Sequence, residues 1–242
     1  MQIFDALIYY PLYNTLIFFY NIIPGHDFGI AIIVTTLTMK LILIPLSKKQ
    51  IESQKKMQEL QPELKEIQKK YKNDKEKQAK AMMEFYKEHK ANPLAGCLPL
   101  IIQFIFLIAI YRVIINISGA GFIAHADDLY AFVADPGAIN HTFLFWMDLT
   151  KPSYSMAFLS ALAQYFQTKM LFQTQSMAKP KEVAADEPDF ASIMNKQMLY
   201  LFPVLTFFFG LTFPAALSLY WFVSTLFMIF QQMVIFKPKT LL

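Results

Sequence analysis

From Gln197 to Phe236 the chain runs without a single charged side chain, bracketed by Lys196 and Lys237. At ~1.5 Å per residue a helix of that length is about twice the ~30 Å depth of a bilayer's hydrocarbon core, so the run predicts two crossings, over 197–236. Gly210, Thr212 and Pro214 supply the reversal between them, which returns both flanking lysines to one side. Three more apolar runs fit the same solvent. Residues 28–47 are interrupted by threonines and Lys40 and end in Lys48 and Lys49; 93–117 are entered through Pro93 and Pro99; 153–172 follow Pro152. A composition that is 55% hydrophobic and 16% aromatic agrees with a polytopic all-α membrane protein.

The charges are crowded. Thirteen of the 22 basic residues lie between Lys48 and Lys90. Eight acidic residues interleave with them, and apolar spans flank the stretch, which reads as the cytoplasmic side of a membrane protein and not as a nucleic-acid surface. Within 48–92, Met57, Leu60, Leu64, Ile67 and Tyr71 alternate by three and four as in a coiled-coil seam. Pro62 begins or kinks a segment, Asn73-Asp74 makes the turn, and Ala79, Met82 or Met83, and Tyr86 return on a second helix, predicting a helical hairpin.

The loop 118–152 carries Asp127, Asp128 and Asp135, with lysine only at its far end, and is placed outside; the linker 173–196, with Lys179 and Lys181, and the short basic tail 237–242 are placed inside. Five crossings satisfy every loop, with the N-terminus outside and the C-terminus cytoplasmic. Residues 1–27 leave two readings open. Asp5, Pro11, Asn14 and Asn21 interrupt a sixth span, while Tyr9, Tyr10, Tyr13 and Tyr20 suit an extracytoplasmic interfacial amphipathic helix, the reading preferred.

Lys40 sits inside an apolar span, where a charge costs roughly 2.5–3.5 kcal/mol on insertion scales. Snorkelling to the cytoplasmic surface is one way to offset that cost. Thr36, one turn earlier on the same face, and Ser47 beyond it favour a wet face instead. Ser160, Gln164 and Gln167 or Thr168 make a polar stripe on the third span; Ser218, Trp221 or Phe222, Thr225 and Gln232 make one on the last. Each could simply pack or hydrogen-bond between helices, but stripes on three spans, one containing a cation, favour a shared hydrophilic groove that Gln103 could join. Arg112 reads as an anchor at the outer end of its span, and most of the methionines as ordinary packing. Cys97 is the only cysteine, and His26, His89, His125 and His141 lack metal-ligand spacing, so no metal, cofactor or enzyme is indicated.

Several stretches together resemble the YidC family of membrane protein insertases: PLYNTLIFFYN, TMKLILIPLSKKQ, LQPELKEIQKKYK, NPLAGCLPLIIQ and FPAALSLYWFVS. The resemblance covers the chain from about Pro11 to Lys237 and implies a bacterial plasma (inner) membrane protein with a groove open to cytoplasm and lipid and closed outside. It places Lys40 where the family usually has arginine, which keeps the charge but loses the planar five-donor fork. It matches Gln164 to a polar groove position and Trp221 to a groove aromatic. The implied partners are nascent membrane proteins and the lipid bilayer, with the ribosome, the Sec translocon and the signal recognition particle receptor as further candidates; the short tail argues against ribosome contact through a long one.

None of the five spans contains an aspartate or glutamate. A proton- or sodium-coupled transporter would ordinarily need carboxylates at membrane depth. An insertase predicts the gap, because its passenger brings the anion: Lys40 captures an acidic tail and the apolar segment leaves sideways into lipid. A transporter or channel, and a scaffold that tolerates loss of the charge, are the alternatives.

Overall fold

The computed structural model describes residues 2–92, 98–119, 121–176 and 190–236. Pro93, Cys97, the linker lysines Lys179 and Lys181 and the basic tail lie outside them. The chain is mostly helical. α1 (Gln2–Phe4), a π-helical turn (Asp5–Tyr9) and α2 (Tyr10–Ile22) run on into one another, and α3 (Phe28–Ile42), α7 (Leu98–Gly119), α8 (Tyr154–Ser176), α9 (Phe190–Thr212) and α10 (Ala215–Phe236) make the bundle. Between them α4 (Ile44–Glu59), α5 (Gln61–Lys70) and α6 (Lys75–Glu88) form the charged region, and β1 (Thr142–Phe143) pairs antiparallel with β2 (Met147–Asp148).

Local chemistry sets the boundaries. Asp27 caps α3, accepting the Ile30 amide at 2.9 Å, and Asp74 caps α6, accepting the Lys77 amide at 3.0 Å. Pro62 occupies the first turn of α5, where a missing N–H is harmless. Pro45 acts differently: it cannot donate back into α3, and the chain bends by 67° between α3 and α4 at Leu43. The first apolar run therefore does not reach Ser47 as a straight rod. The α5–α6 hairpin closes over Leu60, Leu64 and Phe85, with Ile67, Met82 and Tyr86 packed against them, while Met83 points outward.

Two described helices are long and apolar enough to cross a bilayer, Ile101–Gly119 within α7 and Ala215–Ile235 within α10; the bent pair Phe28–Ile42 and Ile44–Met57 would be a third, and Gln197–Thr212 is apolar but shorter. α8 presents Phe158, Leu162 and Phe166 outward. Its inward stripe of serine, glutamine and threonine lowers its average apolarity without changing that outer face.

The main core lies at one end of the bundle. The start of α3 (Phe28, Ala31, Ile32), the end of α7 (Ala109–Ile117) and the start of α10 (Ala215–Val223) meet there, beneath α2 and the 121–152 loop. An asparagine and two tyrosines of the N-terminal apolar run hold that loop. Asn14 donates to the Asp128 carbonyl at 2.9 Å and accepts the Tyr130 amide at 2.6 Å; the Tyr13 hydroxyl accepts the His125 amide and the Tyr20 hydroxyl the Asn140 amide, each at 2.7 Å. The far end of the loop caps α10, the Lys151 and Leu149 carbonyls accepting the Ala215 and Ala216 amides at 2.8 and 3.0 Å. Burial raises the nearby Asp148 carboxyl, but hydrogen bonds from Thr150 and Lys151 outweigh it and hold the group at about 2.

Candidate functional site

α10 is the wall on which the polar groups converge. Ser218, Trp221, Ser224, Thr225, Met228, Gln231 and Gln232 recur at three- and four-residue spacing, so they share one helical face despite an apolar sequence around them. Toward α3 and α7 that face meets Lys40. The ammonium, half-buried, donates to Gln103 Oε1 at 3.1 Å, and the Ser224 hydroxyl donates to the same oxygen at 2.9 Å. Because ammonium can only donate, the amide must turn its oxygen toward it. Among the described residues no carboxylate pairs with Lys40, so the cation is held by a neutral dipole and keeps its net charge.

Beside Lys40 lies a cavity of about 40 Å³ lined by Ser47, Gln50, Gln54, Met228, Gln231 and Gln232 among others. One water needs about 10–15 Å³ of such space, so the cavity has room for about three. Gln50 Nε2, Gln54 Oε1 and Gln232 Oε1 are buried without a partner among the described residues, and buried amides of this kind are ordinarily satisfied by water. Gln231 donates to Ser47 Oγ at 2.9 Å, tying the end of α10 to the start of α4.

A second group forms toward α8. The Trp221 indole N–H donates to Gln164 Oε1 at 3.0 Å, which leaves Gln164 Nε2 to donate to Gln167 Oε1 at 3.0 Å and Thr168 Oγ1 at 3.2 Å. Gln167 Nε2 then reaches Met228 Sδ at 3.4 Å. One obligatory donor thus orders the whole chain. Met228 also lines the Lys40 cavity and so touches both groups.

Two of the remaining expected site residues hydrogen-bond to backbone carbonyls. The Thr36 hydroxyl is buried and donates to the Ile32 carbonyl of its own helix at 2.7 Å, and Thr225 is buried on α10. Ser160 donates to the Ser218 carbonyl at 2.8 Å, a packing bond between α8 and α10. Gly210 belongs to the same junction: a Cβ there would lie 2.6 Å from that of Ala157. It lets α9 approach α8, and the reversal itself falls at Phe213 and Pro214. Next to this junction an apolar cleft of about 370 Å³ opens between α7, α9 and α10, lined by Phe104, Ile108, Phe209, Phe213 and Trp221 among others.

Sequence reasoning did not single out Ser224, Gln50, Gln54 or Gln231. Ser224 lies three residues after Trp221, in register with that stripe, a signal that was present; the glutamines of α4 lie in a polar helix, where another polar residue says nothing. Arg112 is also more than an anchor. It pairs with Asp5 and lies over the Phe4 and Tyr9 rings, 5.6 and 5.0 Å from their centroids, joining α7 to the N-terminal helix.

A family profile described as 60Kd inner membrane protein matches residues 18–240. The chain is 34% identical over 218 residues to the membrane protein insertase YidC of Oceanobacillus iheyensis, covering 88% of this chain and 76% of that protein. It is 35% identical over 243 residues to YidC 2 of Bacillus anthracis, covering 98% and 82%. With the insertase MisCA of Bacillus subtilis it shares 32% over 240 residues, covering 97% and 79%.

Proposed function

Because the chain belongs to the 60Kd inner membrane protein family, we propose that it is a membrane protein insertase, the activity for which its relatives are named, acting in the bacterial plasma membrane on nascent membrane proteins. In this reading α3, α7, α8, α9 and α10 are the five crossings. The lysine-rich α5–α6 hairpin faces the cytoplasm, where targeting factors, the ribosome or the Sec translocon would meet it, and the acidic loop faces outside with the N-terminal helix lying at the interface beneath it.

The distribution of polarity along the bundle supports that orientation. The end carrying the aspartate-rich loop is packed with Ile110, Val113, Ile117, Leu219 and Tyr220. The opposite end holds the Lys40–Gln103 pair and, beside it, a small cavity that Lys40, Gln50 and Gln231 help to line. A groove built this way is dry outside and wet inside.

The observation that carries the mechanism is the bond from Lys40 to Gln103. The ammonium already makes that bond charge-assisted, and a passenger carboxylate replacing the amide oxygen adds the attraction of a full opposite charge. Two unit charges 4 Å apart attract by ~1 kcal/mol in bulk water but ~4 kcal/mol at an effective dielectric near 20, so capture is useful only in a groove partly shielded from solvent. The Gln164–Trp221 group extends the polar surface for the tail, and the apolar cleft between α7 and α9 receives the following hydrophobic segment on its way to lipid. Nothing covalent is required.

The test is insertion into sealed vesicles holding only this protein. A single-span client with an acidic N-terminal tail, synthesised in vitro, should carry its tail to protease-protected space, and empty vesicles should not support this. Solute flux without client insertion would instead identify a transporter.

A further inference from the structure

The turn between β1 and β2 carries Leu144, Phe145 and Trp146 outward, leaving Phe145 84% and Trp146 71% exposed. Leu144 and Phe145 adopt φ values of 50° and 68°. Bulky side chains avoid this left-handed region, which persists only where surrounding contacts impose it. Those contacts are present. The Leu144 amide donates to Asp27 Oδ2 at 2.7 Å, the same carboxylate that caps α3. Phe143 lies so close over Gly29 that a Cβ there would meet its ring, and the Phe145 ring reaches the Gly25 turn that joins α2 to α3. On its other side the hairpin runs into Leu149 and Lys151, whose carbonyls cap α10. The tip is therefore pinned at the level where α3 and α10 begin.

We propose that this tip is a lipid anchor, seated in the headgroup and acyl boundary of the outer leaflet. The inference rests on the proposed crossing of the bilayer by α3 and α10. Three features select lipid as the occupant. Tyr154, 79% exposed, begins α8 and its outward row of Phe158, Leu162 and Phe166, so the apolar tip and the face read as lipid-exposed start from the same end of the bundle. Phe145 and Trp146 pair a large apolar ring with an indole that keeps a hydrogen-bonding edge, the combination favoured at membrane interfaces. The tip itself carries no charge. Seated in lipid, it would hold the loop flat over the dry end of the groove.

The chain has two tryptophans, Trp146 and Trp221. Trp221→Phe leaves Trp146 alone, and subtracting the emission of Trp146→Phe from that of the unaltered protein gives the same signal with Trp221 intact. In phosphatidylcholine–phosphatidylglycerol vesicles, Trp146 should emit to the blue of a water-exposed indole, lose most of its intensity to lipids brominated near the headgroup, lose less to chain-end bromines, and resist iodide. Emission unchanged by brominated lipid with full iodide access overturns the anchor and leaves the tip free for a protein partner. A second chain with both tryptophans replaced by phenylalanine and Leu226→Trp, on the outward face midway along α10, reports the span itself. Quenching of Leu226→Trp by chain-end bromines without quenching of Trp146 defeats the anchor alone; no quenching of either defeats the crossing as well.

Discussion

Lys40 and Gln103 meet across the interface of α3 and α7 at 3.1 Å, a cation answered by a neutral amide where a carboxylate would have cancelled it. The same oxygen accepts from Ser224, so three helices fix its position. The arrangement holds a positive charge in place without neutralising it.

Gln103→Glu puts an anion where the amide stands. The new carboxylate would compete with the passenger for Lys40 with an attraction of ~4 kcal/mol at an effective dielectric near 20. Insertion of an acidic-tailed client in vesicles should fall by about tenfold or more, while Gln103→Asn or Gln103→Ser keeps most of the activity. Equal rates for Gln103→Glu and the unaltered chain would mean that the charge at Lys40 is not used.

Removing the Trp221 N–H orphans Gln164 Oε1 but keeps an aromatic ring beside Phe104, whose centroid lies 6.4 Å away. Trp221→Phe should therefore cost about 1 kcal/mol of stability. Trp221→Ala should cost about 3 or more by widening the apolar cleft that the indole lines. Thermal unfolding of the detergent-solubilised pair measures the difference, which vanishes if the ring is not packed as described.

Gly210→Ala places a methyl group against Ala157 at 2.6 Å and forces α8 from α9. A loss of about 1–3 kcal/mol is expected, and Ala157→Gly should restore only part of it, because the Ala157 Cα would also lie 2.8 Å from the new methyl. Failure of that second change to rescue would place the crowding elsewhere.

Asp5→Asn leaves Arg112 without its ion-pair partner, and Arg112→Gln does the converse. Each should lower stability by about 1 kcal/mol, as partly exposed pairs do. Together they should cost less than their sum. Strict additivity in the double variant would mean the pair contributes nothing through its contact.

The two parts of the site differ in how much of them shows in the sequence, for a physical reason. Lys40, Gln164 and Trp221 stand out because polarity inside an apolar run is conspicuous, and the structure puts each in a hydrogen-bonded group. Gln50 and Gln54 are hidden by their polar surroundings in α4, and become visible only when the 67° bend after α3 folds that helix beneath Lys40. Pro45 marks the bend but not its direction. The hairpin seam of Leu60, Leu64 and Ile67 follows from local periodicity, whereas Phe85 is recognised as core only once α6 lies against α5. Asn14, Tyr13 and Tyr20 pair with backbone more than a hundred residues away, a distance at which no local pattern speaks.

The most direct measurement compares Lys40→Ala with Lys40→Arg in cells depleted of their own insertase, following both growth and the insertion of an acidic-tailed client. The ammonium as captor of the passenger's anion predicts that alanine abolishes both and that arginine, the same charge on a planar fork, restores them. Growth and insertion by Lys40→Ala equal to those of the unaltered chain would contradict it.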